Sequence, residues 1–277
     1  MSAGAKVALV TGASRGVGAA TAVALAAQGY AVACAARSTR DQPRRTPGTL
    51  DDVVERIRAA GGTAVAIPVD LSSREQVGAM VENTVAALGR LDVLVNNAAV
   101  TFVGDLDISQ QRHDLVFAID LDAPMTAARH AVPHLRAAGE GRILNVSSLA
   151  ALKPVPGLMS YGMAKVALER MTVDLARQLA GDRIAINCFR IDAPVASEGT
   201  LANMPTVDHT GWEPSACAAE GIAWMLARPV DYSGQLESMV HLAHREGIMT
   251  TVADRPLTPT AMFTGVFDDY TSVFVDG

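Results

Sequence analysis

The chain has 277 residues, 49% of them apolar, with 23 Lys plus Arg against 29 Asp plus Glu and a formal net charge of −6; its mean hydropathy is +0.22. That length holds one large domain or two small ones, and that composition supplies a sizeable core rather than a disordered chain. A mildly acidic balance with only twelve aromatics (two Trp, four Tyr, six Phe) speaks against a nucleic-acid binder, which needs clustered cations.

In chain order, short apolar runs alternate with longer Ala-rich stretches. Lys6–Val10, Ala31–Ala35, Ala64–Val69, Leu91–Val95, Arg142–Val146 and Ile184–Phe189 read as strands buried on both faces. Between them, Ala19–Gln28, Leu50–Ala60, Arg74–Leu88, Asp114–Leu135 and Tyr161–Leu179 read as helices. Strand then helix, repeated with short links, is the pattern of a single α/β domain with a doubly wound parallel sheet. Two connections break the rhythm: the polar segment 38–49 and the Pro/Gly-rich segment 190–215. Both follow strand C-termini, where open α/β sheets bind ligands.

The first strand runs into Thr11-Gly12-Ala13-Ser14-Arg15-Gly16-Val17-Gly18 and a helix follows. Gly12 permits a tight turn, while Gly16 and Gly18 allow close approach of backbone to a phosphate and of helix to strand. The helix N-terminus offers free N–H groups and a positive dipole end to a pyrophosphate. An NAD site usually has an acid at the end of the second strand; here that place holds Ala36-Arg37. Arg15 and Arg37 therefore favour the 2′-phosphate of NADP(H). Arg40, Arg44 and Arg45 read as a solvated loop, with phosphate contact as the alternative.

Ser147-Ser148 ends the fifth strand, Tyr161 lies 13 residues beyond Ser148, and Lys165 four beyond Tyr161, on the same helix face. A Tyr that donates a proton near neutrality needs its pKa drawn down from about 10, which a neighbouring ammonium does. The Ser hydroxyl can hold a substrate oxygen beside the phenol.

With these residues in place the chain resembles the classical short-chain dehydrogenase/reductase family, from about Lys6 to Leu242. The resemblance rests on Thr11-Gly12-x3-Gly16-x-Gly18, Asp70 after the third strand, Asn96-Asn97-Ala98-Ala99 after the fourth, and Ser148 with Tyr161-x3-Lys165. It implies that Asp70, with Leu71 beside it, meets the adenine and that Asn97 and Ala98 lie along the cofactor. It implies also that Ser148 orients the carbonyl, Tyr161 is general acid or base, and Lys165 binds the nicotinamide ribose and tunes Tyr161. Homodimers or homotetramers are usual in that family.

Three departures stand out. Where the family has Asn, whose main-chain carbonyl holds a water near the Lys, this chain has Asp120. An ionised carboxylate there would stabilise protonated Lys165, while desolvation would raise its own pKa. After the sixth strand the usual Pro-Gly is replaced by Arg190-Ile191-Asp192-Ala193-Pro194-Val195-Ala196-Ser197, where Val195 and Ser197 take over the cofactor contacts. Beyond a catalytic domain of residues 1–244, an extension, 245–277, carries Phe263, Phe267, Tyr270 and Phe274, which dock on the chain's own core or on a sister subunit.

The remaining signals are bland. No run of about 18 uncharged apolar residues suggests a membrane span, and the N-terminus lacks a signal-peptide pattern. Cys34, Cys188 and Cys217 have no metal-ligand spacing and read as buried hydrophobes in a reducing compartment, so a cytoplasmic protein without metal is expected. His130 and His134, at i, i+4, read as a surface pair. Met159, Met163, Met204 and Trp212 line an apolar pocket or simply pack.

The expected function is hydride transfer between NADP(H) and a ketone or secondary alcohol of middling size and hydrophobic character. A 3-oxoacyl-thioester reductase would want a basic pocket mouth, whereas segment 190–215 holds Asp192, Glu198, Asp208 and Glu213. An enoyl reductase would space Tyr and Lys seven apart. A cofactor-binding sensor or scaffold without turnover is the rival from another class.

Overall fold

A computed structural model describes residues 4–204 and 206–257 of the chain. Along the first strand, β1 (Val7–Thr11), successive side chains enter opposite faces: Val7 and Leu9 join one apolar cluster, Ala8 and Val10 the other. The same alternation recurs in β2 (Ala31–Ala36), β4 (Val93–Asn96), β5 (Gly141–Ser148) and β6 (Ile184–Ile191), which are largely buried on both faces, while β3 (Ala64–Pro68) is partly exposed. With β9 (Leu236–Ser238) they form one parallel sheet in the order β3-β2-β1-β4-β5-β6-β9.

Helices cover both faces. On one side lie α1 (Gly16–Ala27), α2 (Leu50–Ala59), α8 (Ser215–Leu226) and α9 (Met239–Glu246); on the other, α3 (Arg74–Leu88), α5 (Ala123–Ala137) and α6 (Met159–Gln178). Local chemistry sets several starts. Thr49 and Asp52 form a reciprocal capping box on α2, and the Ser73 hydroxyl accepts the Gln76 N–H at the start of α3. Gly89, at φ +84°, ends α3 in a left-handed turn.

The expected doubly wound parallel α/β fold is present. One expected helix is divided: in place of Asp114–Leu135 the chain forms α4 (Gln110–Phe117), a wide π turn at Ala118–Asp122, and α5. Pro124 lacks an N–H, so the ordinary helical bond to the Asp120 carbonyl cannot form, and the turn widens instead, with Ala123 N–H bonded to Ala118 O. Segment 190–215 is also more ordered than a loop. It contains β7 (Val195–Ala196), α7 (Glu198–Asn203) and β8 (Glu213–Pro214), with β7 and β8 paired.

Buried charges fix this segment where Pro-Gly would otherwise turn. Arg190 forks onto Glu169 of α6, Nε to Oε1 at 2.9 Å and Nη2 to Oε2 at 2.7 Å, and Ser147 Oγ donates to the same Glu169 at 2.7 Å. Asp192 accepts Ser238 Oγ at 2.5 Å and Val240 N–H at 3.0 Å, tying β6 to the start of α9. Past α9, Met249 and Val252 of the turn and α10 (Thr250–Ala253) join the core, and Arg255 pairs with Glu213 at 2.7 Å. Phe263, Phe267, Tyr270 and Phe274 lie outside the described residues.

Because Arg190 and Glu169 are both buried, removing one strands the other's charge. Arg190→Met is expected to cost about 3–5 kcal/mol of unfolding free energy in urea titration. The double change Glu169→Met with Arg190→Met should recover most of that loss.

Candidate active site

The C-terminal ends of β1, β4 and β5 meet at one edge of the sheet, and hydrogen bonds knit them together. Thr11 Oγ1 accepts the N–H groups of Asn97 and Ala98, both at 3.1 Å, and donates to Val95 O at 3.3 Å. Asn97 Nδ2 donates to Thr11 O at 2.9 Å. A Cβ on Gly12 would come 2.9 Å from Ala98 Cα, and one on Gly18 would lie 2.4 Å from Gly12 O. Glycine is required at both positions by contact, not by tradition. Ser14 is buried within the turn, and Val17 follows Gly16 at the start of α1.

The long polar connection closes over this turn. Arg15 Nε donates to Pro47 O at 2.6 Å, and Nη2 to Thr46 O and Gly48 O at 2.9 and 2.8 Å. Arg15 therefore holds the loop in place, a task its position in the turn did not announce. Arg37 stands exposed just past β2. Arg40 pairs with Asp52 and Glu55 of α2, which is the solvated-surface role expected for it. Asp70 is held below the ordinary carboxylate range: its hydrogen bonds with Ser72 and the fields of Arg37 and Arg44 together outweigh a desolvation that works the other way. Leu71 beside it is buried.

On the far side of the edge, α6 brings Tyr161 and Lys165 against β5. Its start is anchored from two directions. The Asp105 carboxylate accepts Gly157 N–H at 3.1 Å and Met159 N–H at 3.3 Å, and His113 of α4 shares a hydrogen bond with Ser160 Oγ at 2.9 Å. The Lys165 side chain is only 2% exposed. Its Nζ donates to Val146 O at 3.0 Å and lies 5.4 Å from the centre of the Tyr161 ring. Ser148, at the end of β5, lies near enough to the phenol to draw its pKa down, and its Oγ accepts Ala150 N–H at 3.3 Å.

Asp120 is completely buried on the wide turn. Its Oδ1 accepts Val100 N–H at 2.9 Å, while Oδ2 has no hydrogen-bond partner and sits 3.8 Å from Lys165 Nζ. That separation is an ion-pair distance, too long for a hydrogen bond. Desolvation raises the carboxyl to about 6 in spite of Lys165 and the Val100 N–H, which pull it down. Burial disfavours the Lys165 ammonium, but the Tyr161 and Asp120 charges outweigh it and hold Lys165 above its ordinary value. For Tyr161 the balance differs from the sequence expectation. Burial, aided by the Asp120 carboxylate, pushes the phenol above 10.0, beyond the opposite pull of Lys165 and Ser148.

Ser148, Tyr161, Lys165 and Asp120 thus converge, and Gly12, Gly16, Gly18, Asn97 and Ala98 form the adjoining turn. Val195 and Ser197 bring segment 190–215 to that turn, where a Cβ on Gly16 would lie 3.1 Å from Ser197 Cβ. Sequence reasoning missed Glu198, whose Oε2 accepts Gly16 N–H at 2.7 Å. It also missed Glu169 behind Lys165. The only signal available for the wide turn was Pro124, four residues after Asp120. Val103 and Leu106, 73% and 89% exposed, rim the side nearest Met159. Among the described residues no group of His, Cys, Asp and Glu could hold a metal, and no helix is long and apolar enough to cross a membrane.

Residues 6–197 match the protein family described as short chain dehydrogenase. A Methylorubrum extorquens protein described as an uncharacterized oxidoreductase is 38% identical over 197 residues, 70% of this chain and 75% of that protein. The mouse hydroxysteroid dehydrogenase-like protein 2 is 34% identical over 183 residues, 65% of this chain, and the match spans 37% of that longer protein. Among solved structures, a short chain dehydrogenase from Burkholderia cenocepacia in complex with NADP superposes with a TM-score of 0.74 at 29% identity, covering 84% of this chain and 95% of that one.

The Asp120 carboxyl should titrate near 6, followed by infrared difference spectra against Asp120→Asn. Lys165→Met removes the opposing charge and should move that midpoint upward. Because the folded-state value lies above the ordinary 3.8, the group's favourable contribution to folding is complete below that pH and is lost as pH rises through about 6.

Proposed function

The chain belongs to the short chain dehydrogenase family of oxidoreductases, and from that premise we propose that it moves hydride between NADP(H) and the carbon of a ketone or secondary alcohol, with Tyr161 as general acid or base. The observation that carries this reading is the convergence of Ser148, Tyr161 and Lys165 beside a glycine turn at the C-terminal edge of the sheet. The turn fits a dinucleotide phosphate: its Gly16 N–H already donates to a carboxylate, and its glycines admit close approach. The exposed Arg37 just past β2 and a similar structure that holds NADP support NADP(H) over NAD(H), while Arg15 orders the neighbouring loop.

When bound, the nicotinamide supplies or receives the hydride. In reduction, Ser148 Oγ and the Tyr161 hydroxyl donate to the carbonyl oxygen and stabilise the alkoxide charge as it develops. Tyr161 then gives up its proton, and the Lys165 ammonium steadies the phenolate left behind. Asp120 offsets the charge of Lys165 inside the protein, and its main-chain carbonyl, released from helical bonding by Pro124, can hold a water. The exposed apolar rim of Val103, Leu106 and Met159 supports a mid-sized hydrophobic substrate. Exposed Met163, Val166 and Val173 on α6 support association of copies as a homodimer or homotetramer.

NADPH oxidation measured against carbonyls of graded size is expected to show turnover that prefers NADPH to NADH. Tyr161→Phe should lower kcat by about 10²-fold or more while NADPH still binds. Tight NADPH binding by the native chain with no turnover on any carbonyl would favour the sensor or scaffold reading instead.

A further inference from the structure

The glycine turn carries an anion of its own making. Glu198 Oε2 accepts the N–H of Gly16, the first residue of α1, at 2.7 Å across 182 positions of sequence. Gly16 holds φ +58°, and a Cβ there would meet Ser197 Cβ at 3.1 Å, so the two segments are in close contact. Glu198 opens α7, whose N-cap Ser197 accepts the Thr200 N–H at 3.2 Å. The short helix therefore comes to the turn as a unit, bringing the half-exposed Leu201 and Val207 with its segment. Arg15, next to Gly16, feels the Glu198 charge directly.

A helix N-terminus favours one anion through its free N–H groups and dipole. A carboxylate and a pyrophosphate crowded onto the same donors repel each other. Resting on the reading of this turn as a dinucleotide site, we propose that Glu198 is an internal stand-in for the cofactor's pyrophosphate. Its carboxylate latches α7 onto the glycine turn and is exchanged for the cofactor. Cofactor affinity is reduced by the bond that must be broken, and binding releases the segment that borders the substrate site.

The test measures Kd for NADPH, NADP+ and NADH by calorimetry with the full chain and with Glu198→Gln and Glu198→Asp. The Asp variant keeps an acid in the first turn of α7 but is too short to reach Gly16, so it guards against a merely unfolded helix. Both variants are expected to bind about two- to tenfold more tightly than the native chain, with the gain shrinking as salt rises. In a Trp224→Phe background, acrylamide quenching of Trp212 should rise when NADP+ is added to the native chain and should start high in Glu198→Gln. Unchanged or weaker binding in both variants overturns the exchange, as does tighter binding in Glu198→Gln alone. Failure of native and variant chains alike to bind any of the three dinucleotides overturns the reading of the turn itself.

Discussion

The Lys165 ammonium sits almost entirely out of water between β5 and the wide turn after α4, and a charge in that position constrains everything around it. An ion so placed persists only if the fold supplies hydrogen bonds and opposite charge. The Val146 carbonyl supplies the first and the Asp120 carboxylate, 3.8 Å away, the second. The carboxylate sits on the wide turn between α4 and α5, so its place depends on that break in the helix. Pro124 breaks that continuity, the helix widens, and Asp120 is delivered to the centre of the molecule.

The consequence for chemistry is a three-charge balance instead of a simple pair. Lys165 draws the Tyr161 phenol toward ionisation, and Asp120 draws it back. With an amide at position 120 the second influence would be absent. The Asp therefore makes this site's acid–base behaviour depend on a buried carboxyl whose own ionisation falls at about 6. Behind Lys165, one turn further along α6, Glu169 and Arg190 form a second buried pair that also gathers Ser147. The strand that ends in Ser148 and the helix that carries Tyr161 are thus joined by charge-assisted bonds on both sides of the reacting residues.

On the cofactor side the logic is backbone contact. Thr11 and Asn97 stitch the ends of β1 and β4, and glycines at 12 and 18 let the turn lie flat against them. Two segments then close on the turn from opposite directions: the polar connection through Arg15, and α7 through Glu198. Each uses one charged side chain against backbone groups, so both can be released without breaking apolar packing.

The amino-acid sequence by itself determined the alternating strands, the parallel α/β class, the glycine turn and the Ser148, Tyr161 and Lys165 set. These depend on periodicity and on short spacings, where neighbours in sequence are neighbours in space. It also marked Asp120 and segment 190–215 as departures. What it did not disclose were the partners: that Arg15 serves the loop, that Asp120 leaves one oxygen unbonded, that Glu198 reaches Gly16, that Arg190 and Asp192 replace a Pro-Gly turn with buried bonds. Those pairings join residues 20 to 182 positions apart. Only the folded chain decides them, because burial sets both which charges can meet and how strongly each is held.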